Sequence, residues 1–295
     1  MDFLLKSVVA PGFFTSQPVI TAMIVGGGAA IVSAIVGVFT VIRGQSFAGH
    51  ALADVSSAGG SASFLIGVNP LLGFVVMALV AGAGIEVFGV KDVRERDLVT
   101  GIITGAGLGL AALLLYFAVR TTSTTGAAIT VMFGSMFAIS QSVAPLAIAV
   151  GFAALLMVGL LFRPLLLTSL DPELAAVAGI NVRLVNGLFL MMLALAVSLS
   201  AITIGAVLST ALLIGPAATA LRLASRPGIV LLLAPFAGLI ATFGGILLAY
   251  DSYGWGGGHG WPVSFCIVAL VLTLYLLASL VSRFGIGLKA LDIEA

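Results

Sequence analysis

Long apolar runs alternate along this chain with short polar breaks. A helix needs about 20 mostly apolar residues to cross a hydrocarbon core about 30 Å thick. Nine segments fit, at roughly 18–42, 48–67, 70–89, 97–119, 143–167, 184–200, 203–221, 228–250 and 261–283. The sixth and seventh are short and nearly continuous. The pattern predicts an all-α, polytopic membrane protein of about nine transmembrane helices, within a range of eight to ten. Residues 121–142 are polar around a short apolar stretch, which predicts an external loop carrying a short re-entrant helix. Residues 1–15 mix Asp2 and Lys6 with Phe3, Leu4, Leu5, Val8 and Val9, the pattern of a short interfacial helix. Pro11 and Pro18 and the lack of a clear small-residue cleavage site argue against a cleaved signal peptide. No repeat and no linker interrupts the pattern, so residues 1–295 are read as one transmembrane domain.

Composition agrees. The chain is 61% hydrophobic and 8% charged, with a mean hydropathy of +1.29. Soluble domains carry roughly 25% charged residues. The net charge of +1 implies no nucleic acid or other strongly charged partner; the solvent of most of the surface is membrane lipid. The placement of the 12 basic residues matters more. With the N-terminus outside, the cytoplasmic loops hold Arg43, Lys91, Arg94, Arg96, Arg163, Arg183, Arg222, Arg226, Arg283 and Lys289. Only Lys6 and Arg120 fall outside, a strong positive-inside bias that places the C-terminus in the cytoplasm. The single cysteine, Cys266, permits neither an internal disulfide nor a Cys cluster.

Small residues recur within the apolar runs, as in Gly26-Gly27-Gly28 and Gly105-Ala106-Gly107-Leu108-Gly109. They let helices approach closely in lipid. Gly59-Gly60 and Gly244-Gly245 are read as places where helices could break or bend.

The chemistry concentrates in a few polar positions. His50 and Asp54 lie one helical turn apart, so they share a helix face. An imidazole and a carboxylate can both bind a first-row metal ion, and ionisable groups at membrane depth are costly enough to suggest a transport path. Counted from Arg43, His50 lies about 10 Å and Asp54 about 16 Å along the helix. The alternative is that His50 caps the helix and Asp54 bonds to a neighbouring one. His259 and Asp251 fall in a predicted outer loop with Trp255, Gly256–Gly258 and Trp261. They form a second, weaker metal candidate, set against a flexible loop with a solvated histidine. Glu86 is expected to pair with Arg43 or Arg94, or to sit exposed at the headgroups. Ser56, Ser57, Ser61 and Ser63 either line a polar path or bond to their own helix backbone. Arg94-Glu95-Arg96-Asp97 reads as a solvated run.

Residues 163–186 form the longest cytoplasmic connection. Asp171 is a good N-cap, Pro172 a good first helical residue, Glu173 suits the first turn and Gly179 stops the helix. A capped helix of about two turns is predicted between two spans, either an ordinary loop or a docking helix.

Asp171-Pro172-Glu173-Leu174-Ala175, followed by Gly179-Ile180-Asn181-Val182-Arg183, resembles the coupling segment of ABC importer permeases for zinc, manganese and iron, whose pattern runs D-P-E-x-A-x-x-x-G-x-x-V. Gly205 to Ala220 resembles that family's G-x-L-L-x-x-A-L-L-x-x-P-A-A-x-A stretch. Arg43-x-x-Ser46-x-x-Gly49 and Phe133-Gly134 extend the likeness over about 40–285. The family's G-D-A-L-S-H stands here as Gly49-His50-Ala51-Leu52-Ala53-Asp54, with Asp and His exchanged and their spacing kept. In the family this pair is the usual candidate for holding the ion in transit.

The resemblance implies an ABC importer permease fold in a bacterial cytoplasmic membrane. It also implies a homodimer and an extracytoplasmic metal-binding protein that delivers zinc or manganese, with iron third. A cytoplasmic ABC ATPase would dock at residues 164–183, through Asp171, Pro172, Glu173, Ala175, Gly179 and Arg183. ATP would be bound by that partner; no cofactor is expected on this chain, which has no G-x-x-x-x-G-K-[ST] loop and no nucleophile–base constellation. Two other readings are a permease for an iron chelate or another large ligand, and a proton-coupled secondary transporter using Asp54.

Overall fold

The computed structural model describes residues 12–88, 93–122, 126–255 and 260–284. Twelve α-helices follow in order: α1 Gln17–Ile42, α2 Ser46–Ile66, α3 Pro70–Phe88, α4 Val93–Thr122, α5 Ala127–Phe133, α6 Val143–Leu160, α7 Phe162–Leu170, α8 Pro172–Val177, α9 Val182–Ile204, α10 Ser209–Leu223, α11 Pro227–Trp255 and α12 Val263–Arg283. Of the predicted interfacial helix only residues 12–15 are described; Phe13–Thr15 makes one 3-10 turn. Each of the nine expected segments holds a helix; 143–167 is split at Leu161 between α6 and α7, and 203–221 is interrupted at 205–208. Seven are long and apolar enough to cross a membrane by themselves: α1, α3, α4, α6, α9, α11 and α12. The other two are α2, which is long but polar, and α10, which is apolar but only 15 residues.

Burial sorts these helices by depth in the bundle. The membrane-spanning windows of α1 and α9 are 67% and 78% buried, against 22–39% for the other five, so this pair forms the centre. The hydroxyls of Ser33 and Ser200 meet there at 2.9 Å and join α1 to α9. The outer helices carry exposed Val76, Ile102, Ile148, Phe236 and Leu276, large apolar side chains that suit lipid rather than water. The polar helix α2 is enclosed: every residue from Ala51 to Ser61 is buried. Its 21 residues reach about 32 Å, enough to traverse the core.

The glycine pairs are contacts, not breaks. α2 runs unbroken through Gly59-Gly60, and a Cβ on Gly59 would stand 1.9 Å from the backbone oxygen of Gly73 on α3. α11 likewise continues through Gly244-Gly245, where Gly245 lies against the backbone of Ile267 on α12. Only residues without Cβ permit such backbone approach.

The short α10 is completed by a turn rather than by more helix. Residues 205–208 leave the helical path with Gly205 and Ala206 buried, where unpaired backbone groups are costly. The short helix α5 supplies the partners: Ala206 N–H donates to Val131 O at 3.0 Å and Val207 N–H to Met132 O at 3.2 Å. The two segments cross at Gly134 (φ 74°) and Gly205 (φ 89°). The short helix expected within residues 121–142 is found, as α5, followed by a 3-10 turn at Met136–Ala138.

The bundle has two chemically different ends. At one, Gln17 meets Gln141, Phe13 packs on Tyr250, and Ser264 donates to Phe133 O at 2.5 Å. At the other, Arg43 contacts Thr168, Ser169 and Asn186, Arg183 approaches Glu86, and Arg222 bonds to Tyr275. Arg43, Arg183 and Arg222 thus gather where the charge pattern places the cytoplasm. Glu86 approaches Arg183 (3.8 Å), and Arg43 turns toward α7 and α9.

Candidate metal pathway

α2 begins at Ser46, after a turn at Arg43–Gln45 that Gly44 makes with φ 63°. His50 and Asp54 therefore lie about 6 and 12 Å along the helix, shallower than a count from Arg43 suggests. Their spacing brings His50 Nε2 and Asp54 Oδ2 to 3.5 Å. Two donors about 2.1 Å from one ion at the tetrahedral angle stand about 3.4 Å apart, so the observed separation fits a shared ion. The two side chains differ in access. The His50 side chain is 47% exposed and that of Asp54 only 11%. The imidazole thus faces open space while the carboxylate sits one turn further in, which is the order an ion would meet them from the Arg43 end.

Two donors leave a divalent ion short of its usual four to six ligands. Among the described residues no cluster of three or more His, Cys, Asp or Glu completes the set. The serines beyond Asp54 are buried and bonded within their own helix: Ser56 to Ala53 O (2.6 Å), Ser57 to Asp54 O, Ser61 to Ser57 O (2.6 Å) and Ser63 to Gly59 O (3.1 Å). These bonds satisfy hydroxyls that burial would otherwise penalise, and they realise the intrahelical alternative.

Of the second candidate pair only Asp251 is described; His259 lies outside the described residues. Asp251 is not in a loop: α11 extends through Trp255, and Asp251 is buried in its last turns. The adjacent Ser252 is also buried and accepts the Trp261 N–H at 2.7 Å, so packing keeps this polar stretch helical. Asp251 lies next to Tyr250, at the end of the bundle opposite Arg43, whereas His50 begins α2 at the Arg43 end. The structure does not bring the two together.

The segment 164–183 folds as its caps dictate. The Asp171 carboxylate accepts the N–H groups of Glu173 (3.0 Å) and Leu174 (2.9 Å), and Pro172 opens α8. Ala175 is fully buried and anchors the helix to the bundle. Gly179 reverses the chain with φ 81°, and Asn181 caps α9 through Leu184 N–H at 3.1 Å. Asp171, Pro172, Glu173 and Arg183 are exposed. So are the apolar Leu174 and Val177, one turn apart on α8, and Leu170 at the end of α7. Sequence reasoning named the Arg43 motif without a role and passed over Thr168, Ser169 and Asn186; their one signal is polarity next to the capped helix.

Comparison with known proteins places these features in context. The model of the ABC 3 transport family matches residues 15–282. The manganese import system permease protein ScaB of Streptococcus parasanguinis is 34% identical over 239 residues, covering 81% of this chain and 82% of that protein. The high-affinity zinc uptake system membrane protein ZnuB of Haemophilus influenzae is 29% identical over 238 residues, covering 78% and 88%. Among solved structures, PsaBC from Streptococcus pneumoniae in complex with Fab superposes with a TM-score of 0.78 at 25% identity, covering 94% of this chain and 95% of that one.

Proposed function

The chain belongs to the ABC 3 transport family, and from that premise we propose that it is the membrane permease of an ATP-driven importer for a divalent metal ion, manganese before zinc. The observation that carries the reading is the His50–Asp54 pair, 3.5 Å apart on a polar helix enclosed by apolar ones. Burying such a helix is costly without a task for its donors. The relatives named for manganese and for zinc give the order of the metals.

The permease, one transmembrane domain with its N-terminus outside, works as a homodimer. Each copy supplies one imidazole and one carboxylate, so two copies bring four donors, and the half-exposed His50 is available to face the second copy. Such a site binds an ion yet opens again when the copies part, as transport requires. A cytoplasmic ATPase docks on α8 through the exposed Leu174 and Val177, with Leu170 beside them at the end of α7, and the capped Asp171–Glu173 turn. An extracytoplasmic protein delivers the ion. ATP stays on the ATPase, and this chain does no chemistry of its own.

The test is metal uptake by cells expressing the permease with its ATPase and binding protein, for wild type, His50→Ala and Asp54→Ala at equal membrane levels. Manganese, zinc and iron are assayed in parallel. Both variants should lose uptake of the same metal by at least tenfold, as expected when one of a few ligands is removed. Normal uptake in both would reduce the pair to helix packing.

A further inference from the structure

Arg43 closes α1 three residues before α2 begins. Its guanidinium reaches across to both flanks of α8. Nη1 donates to Thr168 Oγ1 at 3.0 Å and to Ser169 Oγ at 3.2 Å, in the last turn of α7. Nη2 donates to Asn186 Oδ1 in the first turns of α9. Its Cζ lies 4.9 Å from the centroid of the fully buried Phe189 ring, one turn further along α9. The acceptors are prepared. Thr168 and Ser169 donate their own hydroxyl protons to Pro164 O and Leu165 O, which leaves their oxygens free to accept. One planar cation therefore spans the residues just before and just after the docking helix and ties both to the root of α2.

We propose that Arg43 is the positioning residue that transmits movement of α8 to the metal-holding helix α2. This rests on the reading that α8 docks the ATPase and that His50 and Asp54 hold the ion. The path is short: α8, its two flanks, the guanidinium, the Gly44 turn and α2. His50 lies about 6 Å into that helix. A fork is needed because the acceptors sit on two helices. Lysine carries the same charge at a single nitrogen and holds only one side.

The test uses the full complex of permease, ATPase and binding protein in liposomes, with radioactive manganese as the probe. Manganese entry and phosphate release are read together, and the ratio of the two is the result. Arg43→Lys and Arg43→Gln should retain the ATPase on co-purification while manganese delivered per ATP falls at least tenfold. A wild-type ratio in Arg43→Lys overturns the proposal, because charge alone would then suffice. A loss of uptake only in proportion to lost ATP hydrolysis overturns it as well, since that is what a merely structural residue would cause. If the Arg43 variants do not accumulate, Asn186→Ala cuts only the α9 side; its ratio should fall at least threefold, and an unchanged ratio again overturns the proposal. Two controls separate this outcome from failure of the underlying reading. Leu174→Asp should release the ATPase if α8 is the docking helix, and Asp54→Ala should abolish uptake if the pair holds the ion.

Discussion

Replacing Gly205 by alanine tests whether the α5 crossing is the joint that lets a short α10 stand in the membrane. A Cβ on Gly205 would lie 2.3 Å from Met132 O, 2.4 Å from Phe133 C and 2.5 Å from Gly134 N. All three are backbone atoms and cannot rotate away. Relief requires α5 and the turn to separate by about 1 Å, which stretches the Ala206–Val131 and Val207–Met132 hydrogen bonds. Each such bond contributes about 1 kcal/mol net, and more where water cannot replace it. The backbone adds its own penalty. At φ 89° an alanine costs about 1–2 kcal/mol over glycine. The sum is about 3–4 kcal/mol. At roughly 2 °C per kcal/mol for a chain of this size, the melting temperature of the detergent-solubilised permease should fall by about 6–8 °C. Thermal unfolding followed by tryptophan fluorescence reads this directly. Gly105→Ala is the control, because nothing lies within 4 Å of a Cβ there and α4 gains helix propensity. A melting temperature in Gly205→Ala within 1–2 °C of the control would refute the crossing as described.

Three further outcomes follow from the same geometry. Asp171→Ala removes the acceptor of two backbone N–H groups and should weaken α8 by about 1 kcal/mol, which lowers ATPase co-purification about fivefold; Asp171→Asn keeps an acceptor and should stay within twofold of wild type. Gly59→Ala forces its Cβ onto Gly73 O and should cost at least about 2 kcal/mol by the same thermal assay, whereas Gly101→Ala, with open space around it, should be neutral. The Ser33–Ser200 pair should show a coupling of about 0.6 kcal/mol in a double-alanine cycle of denaturation in mixed micelles, small because each hydroxyl also has a backbone carbonyl to bond: Ala196 O for both.

What the chain declares locally, it declares legibly. Hydrophobic run length located the seven helices long and apolar enough to span, because a helix in lipid must satisfy its own backbone and so must be long and continuous. α8 was readable from Asp171, Pro172 and Gly179, since caps and stops act over a few residues. The donors His50 and Asp54 stood out because charge is rare at that depth. The errors all involve a partner that is distant in sequence. Gly59-Gly60 looked like a break, and only Gly73 on the neighbouring helix makes it a contact. Asp251 looked like loop, and only burial with the Ser252–Trp261 bond keeps it helical. The His50–Asp54 pair and the α8 surface keep the roles proposed for them until uptake and co-purification are measured.

The same contacts indicate which part of the bundle moves as a unit. α2 packs extensively on α3 and α4 and only sparsely on α1 beyond the connecting turn. On α3, Gly59 and Gly73 bring backbone against backbone, and Ser63 Oγ sits 2.1 Å from where a Gly73 Cβ would be. On α4, the Val55 side chain fills the notch at Gly107. Interlocked surfaces of this kind cannot slide without clash, because close-packed interfaces are bistable rather than continuously deformable. On the proposed coupling, motion received through Arg43 would carry α2, α3 and α4 together, with α9 held to the same group through α3 and Asn186. His50 and Asp54 keep their mutual spacing in that motion, since both ride on one helix. On the proposed function, what changes is their distance to the donors of a second copy. Release of the ion would then follow from parting two intact half-sites, the behaviour that two donors per chain suit.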